Sequence, residues 1–201
     1  MVSKTRRGPT AKGTPDLDTI LQALRGDDAL VILRRLADRD PEWARVIETM
    51  AKDLLSAVDA GDVAADVLAE LESLSVEDVW DRAGPRHDGY SDPGEVAAEM
   101  IEESLEAYAD EVNRLIGLDM QVQADGLYRG ILRGLYDFGI APATPFREEA
   151  ADSVEEQFST ELLNWRDRLP SHATRPRLDA FLAQFCPKWA DRASEMLRRM
   201  R

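Results

Sequence analysis

The sequence predicts an all-α protein, and three observations carry that expectation. Ala, Leu, Glu, Asp and Arg dominate while strand formers are sparse, which is helix chemistry. Apolar residues recur three and four apart through most of the chain, the period that places them on one helix face. Asp40-Pro41 and Asp92-Pro93 each put a capping carboxylate directly before a proline at the first helical position. Hydrophobic residues make up 44% of the 201, enough to build a core.

The elements follow in order. Residues 1–15 hold Gly8, Pro9, Gly13 and Pro15 with four basic residues and no acids, and are expected to be a disordered tail. A single all-helical domain is expected over 16–201, with a possible subdivision near 84–91. Asp16 or Asp18 caps a short first helix to about Leu24, and Gly26-Asp27-Asp28 separates it from a second carrying Leu30, Val31, Leu33 and Leu36. From Asp40-Pro41, a third helix aligns Trp43, Val46, Ile47, Met50, Leu54 and Leu55, the spacing of a core-facing stripe. Gly61-Asp62 opens a fourth with Val63, Val67, Leu68 and Leu71; Ser75 begins a short fifth, close to a capping box.

After the 84–91 loop, Asp92-Pro93 starts a long sixth helix to about Ile116. It points Val96, Met100, Ile101, Leu105, Tyr108, Val112 and Leu115 inward. A seventh runs over roughly 120–138, Pro142 and Pro145 separate it from an eighth over about 146–168, and Pro170 and Pro176 bracket a turn. A ninth contains Leu178, Phe181, Leu182 and Phe185, and Pro187 starts the last, through Met200. About ten helices joined by short turns imply antiparallel hairpins, arranged as a bundle or a short α-solenoid. The spacing of helix pairs, near roughly forty residues, is similar in rhythm to HEAT-type and tetratricopeptide-type helical repeats, though no signature residue of either is present. That resemblance implies stacked hairpins presenting a grooved binding face.

Charge and cysteine usage narrow the function. The net charge of −14 comes from 25 basic and 39 acidic residues, and residues 16–163 hold 12 bases against 35 acids. Such a field repels nucleic-acid phosphates and favours basic protein partners or divalent cations. The lone Cys186 forms no internal disulfide and excludes a thiolate zinc cluster; it sits among Phe181, Phe185 and Trp189 as a small buried apolar residue. No apolar run follows the basic N-terminus and none is long enough to span a bilayer, so a cytoplasmic protein without a membrane segment is expected.

Two local features stand out from this helical background. Gly126, Gly130 and Gly134 lie four apart in one predicted helix, where each glycine costs about 1 kcal/mol relative to alanine. Something must sit close against them: either a neighbouring helix of the same fold or a second copy in self-association. The other feature is the loop around 84–92. With the residues just before it, it gathers Trp80, Arg82, Arg86, His87, Asp88 and Tyr90, the candidate binding residues. His87 beside Asp88 suits acid–base chemistry, and Arg82 or Arg86 suits holding an anion; read structurally, Trp80 and Tyr90 pin an ordered connection. His172 lies in a polar turn between prolines and reads as solvated.

The acidic face Glu95, Glu99, Glu102, Glu103, Glu106 and Asp110 is the remaining chemistry. Glu99 with Glu102, and Glu149 with Asp152, resemble the ExxE and ExxD pairs of all-α nucleoside triphosphate pyrophosphohydrolases, although the pairs lie further apart than in that family. The resemblance implies magnesium held by Glu99, Glu102, Glu149 and Asp152, with hydrolysis of a phosphorylated small molecule. No nucleophile motif, Gly-rich phosphate loop or Glu-x-x-His is present. The expectation is a protein-interaction module, without catalytic residues or cofactor, that docks a basic partner on its acidic helical surface. A magnesium-dependent hydrolase is the alternative.

Overall fold

The computed structural model describes residues 16–86 and 89–199. The expected tail, His87, Asp88 and Met200 lie outside the described residues. Among those described, the chain forms eleven α-helices and one two-stranded antiparallel ribbon, so the protein is all-α. Two compact units divide the chain after Leu54, whereas the sequence suggested a subdivision near 84–91.

The first unit carries α1 (Leu17–Ala23), α2 (Gly26–Arg39) and nearly all of α3 (Pro41–Leu55). Its helix starts follow the sequence. Asp16 caps α1 by accepting the Thr19 N–H at 2.8 Å, and the Asp40 side chain accepts the Glu42 N–H at 2.8 Å. No residue of these helices is buried. Most of the stripe expected to face a core is exposed instead: Trp43 is 51% exposed, Met50 66% and Leu54 79%, while Ile47 and Leu55 are half-buried. The period of the pattern fixes which residues share a face; it does not supply the element that covers the face.

The second unit contains α4 (Ala60–Glu72), α5 (Val76–Arg82), β1 (Gly84–Arg86), β2 (Gly89–Ser91), α6 (Pro93–Gly117), α7 (Gln121–Ile140), α8 (Pro145–Glu149), α9 (Ser153–Arg168), α10 (Arg175–Phe185) and α11 (Ala190–Arg199). Caps again explain the starts. Ser75 and Asp92 accept the N–H groups of Asp78 and Gly94. The α4 cap is Asp59, not the expected Gly61-Asp62: its carboxylate accepts from Gly61 at 2.7 Å and Asp62 at 3.1 Å. The expected eighth helix is broken at Ala150–Asp152 into α8 and α9.

α6 ends in a reverse turn that glycine usually makes. The Met120 N–H reaches the Leu115 carbonyl at 2.9 Å and the Asp119 N–H reaches Ile116 at 3.0 Å, with Asp119 at φ 58°. Aspartate tolerates this left-handed position better than most side chains.

α7 is the centre of this unit, packing against α4, α6 and α9. It buries Leu127, Tyr128, Ile131, Leu132, Leu135, Tyr136 and Phe138. Its neighbours come from before and after it in the chain, and α8 contacts both α5 and α6. The arrangement is a bundle around one helix; in a solenoid each hairpin would touch only the next.

The glycines explain how α4 comes so close. A Cβ on Gly130 would stand 2.5 Å from the Val63 side chain and 3.0 Å from the Ala60 carbonyl. On Gly134 it would stand 2.7 Å from Val67 and 2.9 Å from the Ala64 carbonyl. Close packing inside the unit therefore occupies the stripe, and the self-association surface drawn through Gly126, Gly130 and Gly134 is not open. Gly139, at the end of α7, does the same for Trp189, whose ring would lie 2.3 Å from an added Cβ. That indole meets Tyr136 and Phe158 edge-on, with centroids 5.2 and 5.0 Å apart.

A candidate acidic groove

α6 and α9 lie side by side, and polar stripes on both face a groove of about 720 Å³. From α6 come Glu99, Glu102, Glu103 and Glu106, three and four apart on one exposed stripe next to the buried Met100, Ile101 and Leu105. From α9 come Gln157, Thr160, Glu161 and Asn164, on the face beside the buried Phe158, Leu162 and Trp165. Leu105 and Ala109 supply apolar lining. Five carboxylates thus surround one concave surface, and among the described residues no lysine or arginine lines it.

Glu161 differs from the other four because it is half-buried. Burial raises its carboxyl above the ordinary glutamate value of 4.5, and the nearby Glu102 pushes the same way. Opposing this, Asn164 and Gln157 donate to its two oxygens at 3.4 and 3.1 Å, and Arg168 attracts the charge. Burial prevails. Arg168 is itself held by Tyr128 and Asn113, to both of which it donates.

The rim connects to the region the sequence singled out. Arg82, at the end of α5, donates to Glu103 at 2.7 Å, and this pair is well exposed. Of the other candidate binding residues, Trp80 is 57% exposed and Tyr90 is 68% exposed, so neither pins the connection by burial. Backbone pairing orders it: Gly84 faces Ser91, Pro85 faces Tyr90 and Arg86 faces Gly89, with Gly84 at φ 105°. His87 and Asp88 lie outside the described residues.

The four carboxylates suggested as magnesium ligands are not brought together. Glu99 and Glu102 line the groove; Glu149 ends α8 and Asp152 precedes α9, and neither lines it. The break between α8 and α9 redirects the chain there, so the ExxD pair does not sit on one continuous helix as the sequence implied. Among the described residues, no three His, Cys, Asp or Glu side chains form a group able to hold a metal ion.

Sequence reasoning missed the α9 wall. Positions 157, 160, 161 and 164 repeat at helical spacing, beside an apolar stripe at 154, 158, 162 and 165, and that pattern was readable. What it lacked was any sign that this face lies next to the acidic stripe of α6.

Other polar clusters are satisfied internally. Asp125 accepts from Trp165 Nε1 at 2.9 Å and from Arg129 at 2.9 Å, with the Arg129 guanidinium 5.4 Å above the Trp165 ring. A pocket of about 350 Å³ near the end of α7 is bordered by Arg147, which donates to the carbonyls of Gly139 and Pro142 and lies over Phe138. Cys186 is buried, and that burial pushes its thiol up to about 12, so it is inert toward nucleophilic chemistry.

Compared with family models, curated proteins and solved structures, the chain matches none of them. No helix among the described residues is long and apolar enough to cross a membrane.

Proposed function

We propose that this protein is an interaction module whose groove between α6 and α9 receives a basic segment of a partner protein. One observation carries the reading: Glu99, Glu102, Glu103, Glu106 and Glu161 line one concavity from two helices, with Leu105 and Ala109 as apolar lining. A lysine or arginine side chain is amphipathic in the matching sense. Its methylene stem covers Leu105 and Ala109 while its charged head reaches the carboxylates. The groove falls within the volume range of ordinary binding sites.

Electrostatics favour the same partner. Residues 55–201 hold 30 acids and 15 bases, a field that steers cations inward and raises their association rate. An incoming cation also offsets the burial cost that holds the Glu161 carboxyl high, so binding releases a proton wherever Glu161 is partly protonated. Arg82, bonded to Glu103 at the rim, engages one of the groove's carboxylates with a cation of the chain's own.

Fluorescence anisotropy with a labelled Arg/Lys-rich peptide tests this. Glu102→Gln combined with Glu106→Gln is expected to weaken binding about two- to thirtyfold, from a loss of roughly 0.2–1 kcal/mol for each of the two exposed charge pairs. Arg82→Ala is expected to tighten it, since Glu103 is then available, and added salt is expected to weaken it. Equal affinity for wild type and the double glutamine variant would sink the groove as the docking site.

A further inference from the structure

We infer that residues 17–54 form the contact between two copies of this chain, independently of the acidic groove. The apolar surface is concentrated there. Of the fifteen exposed large hydrophobic residues among those described, eleven lie between Leu17 and Leu54. In α3, Trp43, Val46, Met50 and Leu54 follow one another along one stripe. In α2 the consecutive Leu30, Val31, Ile32 and Leu33 are all exposed, and enclosing an apolar run of that kind is favourable.

These helices cannot be self-sufficient. α2 and α3 have 14 and 15 residues and bury no side chain, and helices of about 12–15 residues are marginal in water without packing. A partner must therefore bring an apolar face of its own. Among the described residues the second unit exposes only Trp80, Tyr90, Leu118 and Val122 as large hydrophobics, so the extensive apolar face on offer there is residues 17–54 of another copy. The area suffices: the eleven side chains present on the order of 1,000 Å², against about 800 Å² per partner in a standard stable interface.

Charge selects the same region. Residues 55–201 carry a net −15, and two such surfaces repel; residues 17–54 hold six bases and eight acids, a net −2, so they meet with far less of that penalty. A symmetric dimer through residues 17–54 buries the apolar run of each copy.

Sedimentation equilibrium on the full chain, between about 1 and 100 µM, spans the weaker end of affinities for an interface of standard size. The expected result is a twofold rise in mass that persists in high salt, because the contact is apolar. Val46→Asp with Met50→Asp is expected to leave a single chain throughout, as is Leu30→Glu with Leu33→Glu on the other helix. Val122→Asp, in the second unit, is expected to dimerise like wild type. Near-UV circular dichroism from the buried Tyr128–Trp165 pair checks that the second unit stays folded in each variant. A wild-type chain that stays single at every concentration overturns the inference. So does a dimer that survives both α2 and α3 variants, or one that Val122→Asp abolishes.

Discussion

At the residue scale, Glu161 has the most consequential environment. Burial raises its carboxyl above 4.5, so the folded state holds that proton more firmly than the unfolded chain does. Its contribution to stability is fully present below 4.5 and is lost as pH rises through the raised folded value. Glu161→Gln removes the charge, keeps the shape and lets the Gln157 and Asn164 amides turn to bond the new side chain. Thermal melts across pH are expected to show the variant more stable than wild type at neutral pH, with the gap closing toward pH 4. A gap independent of pH would mean that the glutamate is not the cause. The buried Cys186 follows the plainer logic of a small apolar residue in a packed site, as its neighbours Phe181 and Phe185 implied from the sequence.

At the scale of elements, the pairing of α4 with α7 is set by absent side chains. The three glycines are not equivalent. A Cβ on Gly126 would meet Val58 at an ordinary 3.5 Å, whereas on Gly130 and Gly134 it would press on valine side chains and on α4 carbonyls that cannot move aside. Gly126→Ala is therefore expected to be neutral or stabilising, gaining up to about 1 kcal/mol of helix propensity. Gly130→Ala and Gly134→Ala are each expected to lose about 1–3 kcal/mol, because overpacking outweighs that gain. Urea denaturation measures all three; a destabilised Gly126→Ala equal to the others would contradict the graded contact. The stripe was visible in the sequence. Its occupant was not, because nothing at positions 126–134 says that Val63 and Val67 are the residues to be accommodated.

For the whole molecule, the contrast lies between a unit with a core and a unit without one. α7 is enclosed by α4, α6 and α9, so its amides exchange with solvent only when the second unit unfolds. Amides of α1, α2 and α3 rest on helices with no buried side chain. Native-state hydrogen exchange is expected to find the slowest amides in α7 and much faster ones in 17–54, with protection of α2 and α3 rising with protein concentration as copies pair. Uniform protection over both units would rule out this division.

The sequence by itself determined the helical class, most helix starts and the composition of each face. These rest on local physics: Asp40, Ser75 and Asp92 satisfy N–H groups within three residues of themselves, and a 3.6-residue period sorts apolar from polar. It also showed the acidic stripe on α6 and pointed to a close neighbour along Gly126, Gly130 and Gly134, which holds for the last two. Tertiary structure alone decided what each face meets. It set the Gln157–Asn164 wall opposite Glu99–Glu106, took Glu149 and Asp152 away from Glu99 and Glu102, filled the glycine stripe with α4, and left the Trp43–Leu54 stripe without a core. The reason is common to all four. A helical face is encoded by residues a few positions apart, whereas its partner lies tens of residues away, chosen by the fit and burial of whole surfaces.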